Sequence, residues 1–78
     1  MGGTVKRRRN GIAINVLSKN IRKYRKEQKL TITKLAELLD MDYAQLGRIE
    51  RGLKNPTVSF IFDVAAQLEI KPSQLLEE

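Results

Sequence analysis

Between Leu30 and Pro56 the chain reads LTITKLAELLDMDYAQLGRIERGLKNP, and this stretch constrains the fold more than any other. It encodes two short helices joined by a tight turn. Thr31 is an N-cap candidate, because a hydroxyl just before a helix accepts from an otherwise unpaired backbone N–H. Leu35, Ala36, Leu38 and Leu39 then cluster on one side, and Lys34, Glu37 and Asp40 occupy the other, which predicts a helix from about Ile32 to Leu39. At Asp40-Met41-Asp42 the short acidic side chains compete with the helical backbone and favour a turn. Asp42 opens the second helix, with Gln45 three residues on as a capping-box partner. Leu46 and Ile49, with Tyr43 or Leu53, form its inward stripe. Gly52 closes it, since glycine takes the left-handed C-terminal conformation without steric penalty, and Pro56 forbids easy continuation.

The outward residues of this second helix are Tyr43, Ala44, Gln45, Gly47, Arg48 and Arg51. Small residues let a helix sit deep in a groove, while Arg and Gln can hydrogen-bond base edges in pairs. The same composition also suits an ordinary solvated helix face, so both readings stand at this level.

Composition removes several alternatives. Seventy-eight residues make one domain with a modest core. The chain has no cysteine and no histidine. It therefore lacks the usual nitrogen and sulfur ligands of zinc, any disulfide, and any side chain that titrates near neutrality as an unperturbed base. No apolar run is long enough to span a bilayer. The opening MGGTVKRRRNGIAIN lacks a signal peptide's apolar core, which predicts a cytoplasmic setting. The net charge of +6 is unevenly spread: residues 1–29 contribute +9, residues 30–56 are neutral, and residues 57–78 contribute −3. A positive amino-terminal portion suits a polyanion, and an acidic carboxyl-terminal portion suits a different contact.

The remaining organisation is helical. Ile14, Leu17, Ile21 and Tyr24 recur at three- and four-residue steps and predict a helix from about Asn15 to Gln28, with Lys19, Arg22, Lys23 and Lys26 outward. Thr57 can cap another helix running to about Leu68, and Pro72 opens a short last helix to Leu76. Asn10-Gly11, flanked by Val5–Arg9 and Ile12–Ile14, is a hairpin signal. A flexible basic arm over residues 1–14 is the preferred reading, because an isolated hairpin is marginal in water. The division is thus an arm, 1–14, and a domain, 15–78.

From Ile21 to Leu75 the chain resembles the Cro/C1-type helix-turn-helix family of bacterial and phage regulators. The resemblance rests on IRKYRKEQKLT, LAELLDM, RIERG and NP, followed by a long apolar helix and the closing LEIKPSQLL, about 55 of the 78 residues. It implies an all-α, five-helix, lambda-repressor-like domain whose second motif helix, about 43–51, enters the major groove of double-stranded DNA. By position it assigns base contacts to Tyr43, Ala44, Gln45 and Arg48. It assigns backbone contacts to Thr31, Thr33, Lys54 and Asn55, with Asp42 near the backbone or bases. Arg7, Arg8 and Arg9 of the arm can track phosphates or enter the minor groove. Arg25 and Glu50 match a structural ion pair of the family.

Two positions depart from the family pattern. Ile32 stands where a phosphate-binding Gln is common, and Gly47 replaces a commoner polar residue. The resemblance also places Val58, Ile61, Ala65 and Leu68 in the core, which leaves Phe60, Phe62 and Leu76 as a self-complementary dimer patch. The function implied is a sequence-specific transcriptional regulator, a repressor binding a short palindromic operator as a homodimer. The alternative is a protein-interaction module, such as an antitoxin-like protein that holds a partner through the apolar region 58–76. Non-specific RNA binding through the basic arm is a further reading. No motif unites a nucleophile, a base and an oxyanion stabiliser, so no catalytic, cofactor or metal-binding residue is expected.

Overall fold

The computed structural model describes the backbone of residues 2–78 and the side chains from Gly11 onward. Four α-helices, α1 (Gly2–Glu27), α2 (Ile32–Leu38), α3 (Tyr43–Glu50) and α4 (Val58–Leu68), precede a 3-10 turn at Pro72–Leu76. The fifth helix expected from Pro72 is therefore a single tight turn. No strand occurs among the described residues.

Helix α1 begins well before the expected Asn15, so no hairpin forms around Asn10-Gly11 and residue 14 lies inside a continuous helix. Arg and Lys are good helix formers, and elongating a nucleated helix adds a backbone hydrogen bond for each residue fixed. The hairpin signal has no third strand or helix face to support it.

The N-caps at both threonines form as expected. Thr31 Oγ1 accepts from Lys34 N at 3.0 Å, and Thr57 Oγ1 accepts from Phe60 N at 3.1 Å. Asp42 is the N-cap of α3 but makes no side-chain cap bond, so the Asp42–Gln45 capping box is absent. The Gln45 amide oxygen instead accepts from Lys54 Nζ.

All four α-helices end alike. Lys29, Asp40, Gly52 and Glu69 take positive φ, between 53° and 72°. In each case the following residue, Leu30, Met41, Leu53 or Ile70, donates its N–H back to a carbonyl five residues earlier, at 2.9–3.1 Å. These are Schellman ends, which satisfy carbonyls that the last helical turn leaves unpaired. At Gly52 a second constraint operates, because a Cβ there would lie 3.2 Å from Asn15 Oδ1 on α1.

The core lies where α1, α3, α4 and the 3-10 turn converge, with α2 packed on α3. It comprises Leu17 and Ile21 of α1, Leu35 and Ala36 of α2, Leu46 and Ile49 of α3, Val64, Ala65 and Leu68 of α4, and Leu75. Tyr43 and Leu53, the two candidates to complete the α3 stripe, are both exposed. Val58 is also exposed, contrary to its expected core position, because it is the first residue of α4, two turns before the buried Ala65 on the same side of the helix. The buried Asn20 fastens the chain end, its Nδ2 donating to Leu75 O and Glu77 O, each at 2.8 Å.

Candidate nucleic-acid interface

Helix α3 is only eight residues long, so its own hydrogen bonds cannot hold it in place. Its position comes from burial on one side and an ion pair at its carboxyl end. Arg25 Nε donates to Glu50 Oε2 at 2.7 Å and Arg25 NH2 donates to Glu50 Oε1 at 3.0 Å, a two-pronged contact. Both residues are buried. The third guanidinium nitrogen donates to Leu30 O at 2.7 Å, and one helical turn earlier Arg22 donates to Glu50 O. A planar, five-donor guanidinium is suited to this task in a way an ammonium is not. The structural pair expected of Arg25 and Glu50 is thus present, and α1 grips α3 by both a side chain and a main-chain carbonyl.

Leu46, Ile49 and Glu50 are turned inward and Gly47, expected on the outer face, is buried as well, while the helical repeat directs Ala44, Arg48 and Arg51 outward. Tyr43 stands exposed beside them. These residues line a concavity with Gly47 and Ile32, and Arg22 borders it from α1. Of the four residues expected to contact bases, Tyr43, Ala44 and Arg48 are therefore brought together. Gln45 lies on the opposite flank of α3, in a separate groove with Lys54, Asn55 and Phe60. Its amide joins Lys54, one of the residues expected at the DNA backbone.

Thr31, Thr33, Asp42, Lys54 and Asn55 are all exposed. The side chains of Arg7, Arg8 and Arg9 lie outside the described residues. The three residues expected to form a dimer patch do not share one environment. Phe60 is half-buried against its own core, while Phe62 and Leu76 are exposed. Leu76 borders a groove with Ile12, Ala13, Val16 and the charged Glu78.

Two arginines of this face were expected only to point outward, and Arg22 instead is half-buried and donates to Glu50 O. Arg51 follows the last residue of α3 and points with Ala44 and Arg48. Arg22 precedes Arg25 by three residues, a spacing that puts both on one side of α1. That spacing was the available signal.

The short α2, the tight turn and the exposed, basic face of α3 define a helix-turn-helix protein. Residues 21–75 match the helix-turn-helix family model, and the chain belongs to that family, in its Cro/C1-type branch. It is 34% identical over 64 residues to the HTH-type transcriptional regulator SinR of Bacillus subtilis (strain 168), a match covering 81% of this chain and 58% of SinR. The chain thus spans little more than half the length of that relative. Among solved structures, the restriction-modification controller protein C.AhdI from Aeromonas hydrophila superposes with a TM-score of 0.76 at 29% identity, covering 80% of this chain and 94% of that one. A structure of SinR, the master regulator for biofilm formation, in complex with DNA superposes with a TM-score of 0.74 at 34% identity, covering 78% and 98%.

Proposed function

We propose that this chain is a sequence-specific DNA-binding transcriptional regulator, acting as a repressor on a short palindromic operator. The observation that carries this is the outward face of α3, Ala44, Arg48 and Arg51, held by the buried Arg25–Glu50 pair and left free of intramolecular partners among the described residues. Supporting it are the solved complex of SinR with DNA and the excess of positive charge before residue 30.

In this reading α3 lies in the major groove. Arg48 pairs with the O6 and N7 of a guanine, a contact worth about 1–3 kcal/mol of discrimination. Tyr43, Ala44 and Gln45 complete the base contacts. Thr31, Thr33, Lys54 and Asn55 hold phosphates, joined by Arg7, Arg8 and Arg9, and they set register without choosing sequence. Asp42, an anion with no cap bond to make, reads a cytosine amino group rather than a phosphate. A homodimer joined through Phe62 and Leu76 sets two α3 helices about 34–36 Å apart, one turn of DNA.

Selection of bound sequences from random duplex DNA tests the reading. An enriched, partly palindromic motif is expected, and its absence at moderate salt refutes DNA recognition. Arg48→Ala is expected to relax preference at one position in each half-site, whereas Lys54→Ala weakens all sequences alike. For the dimer, sedimentation of Phe62→Ser at micromolar concentration is expected to give a monomer mass. An unchanged dimer mass rules out that interface.

A further inference from the structure

Gly47 forms the floor of the concavity beside α3, and the free protein has no use for a glycine there. Its φ is not in the left-handed region, since Gly52 alone among the described glycines takes positive φ. A Cβ built on Gly47 meets no atom within 4 Å, so close packing does not exclude a side chain either. Glycine is nonetheless among the poorest helix formers, and α3 is only eight residues long. The missing side chain leaves a recess beside Ile32 and Ala44, with the exposed Tyr43, Arg48 and Arg51 around its mouth; Arg22, Arg25 and Glu50 also line it, but their side chains are already engaged with one another and with the Leu30 and Glu50 carbonyls.

An apolar patch set beside already paired charges and under a basic rim is chemically specific. The rim complements phosphates and the acceptor edge of guanine, while Gly47, Ile32 and Ala44 offer a base no side-chain hydrogen bond. In the major groove one apolar group stands among the acceptors and donors, the 5-methyl of thymine. Ile32 then serves as an apolar wall at the position where a polar phosphate contact would otherwise stand.

We propose that the recess over Gly47 receives the methyl of one thymine in each half-site, beside the guanine paired by Arg48, so that Gly47 sets specificity through the side chain it lacks. This rests on the DNA-binding reading above, and the experiment separates the two. Each thymine of the selected motif is replaced in turn by deoxyuridine, which removes only the methyl, and binding is measured for the wild-type chain and for Gly47→Ala.

For the wild type, one thymine per half-site is expected to matter, its loss weakening binding about fourfold, as the exposure of one buried methyl predicts. For Gly47→Ala, whose own methyl occupies the recess, the thymine-containing site binds less tightly than to wild type, and the deoxyuridine replacement causes no further loss. The free Gly47→Ala protein is expected to melt about 4–8 °C higher, because alanine is the better helix former. A gain in stability with a loss in binding separates recognition from folding. A motif in which no thymine methyl matters, or a deoxyuridine effect equal in both proteins, overturns the proposal and leaves DNA binding standing. A lower melting temperature for Gly47→Ala also overturns it, since the fold would then need the glycine. If no motif is enriched, the DNA-binding reading and the proposal fall together.

Discussion

The two faces of α3 carry charge in opposite ways. On the inner face Glu50 is 2% exposed, bound on both carboxylate oxygens by Arg25 and surrounded by Leu46 and Ile49. On the outer face Arg48 and Arg51 are exposed and have no partner among the described residues. Desolvation explains the division: a buried charge costs several kcal/mol unless its geometry is nearly ideal, while a solvated one costs almost nothing until a ligand arrives. One face therefore determines where the helix lies, and the other remains free to select what it meets. A single eight-residue helix does both because its periodicity keeps the two sets of side chains apart.

Substitutions on each face test how complete this separation is. Glu50→Ala strands the buried Arg25 and is expected to cost about 3–5 kcal/mol in urea unfolding, a large part of the stability of a domain this size. A loss below about 1 kcal/mol would show that the inner face does not anchor α3. Gly52→Ala is expected to cost about 1–2 kcal/mol by the same measurement, because alanine is strained at φ +72 and its Cβ presses on Asn15 Oδ1. An unchanged unfolding midpoint would mean that the end of α3 adapts freely. Arg48→Ala is expected to leave stability within about 0.5 kcal/mol, as surface changes usually do. A larger loss would join the two faces energetically and spoil the contrast.

Much of the inner face was legible in the sequence. Thr31, Thr57 and Gly52 announced helix boundaries by chemistry local to the chain, and the apolar spacing of α1 and α3 located Leu17, Ile21, Leu46 and Ile49. The Schellman ends at Lys29, Asp40 and Glu69 were harder to see, since nothing in a lysine or a glutamate signals a left-handed conformation. What identifies them is the apolar residue that follows, packing back on the helix. Asn20 was invisible for another reason: its partners are main-chain carbonyls 55 and 57 residues away, and only the assembled fold brings them near.

The interface was legible as a set of residue types more than as a surface. Tyr43, Ala44 and Arg48 fall together, but Gln45 sits on the far flank with Lys54, a separation set by the position of α3 on the core. Phe60 and Val58 exchanged expectations, Phe60 packing inward and Val58 standing out. Val58 shares a side with the buried Ala65 but sits at the very start of α4, and how far along a helix the core extends depends on neighbours that sequence spacing does not reveal. The full extent of α1 was likewise hidden by a local turn signal that lacked tertiary support.

Lys29, Asp40 and Glu69 also bear on how readily this chain can change. Each occupies a conformation that glycine adopts more cheaply, by up to about 1 kcal/mol, and none lies on the outer face of α3. Natural domains sit near a threshold of stability, and changes that alter recognition commonly erode it. Glycine at any of these three helix ends offers a compensating gain outside α3. The outer face of α3 can therefore change while stability is regained at positions outside that helix.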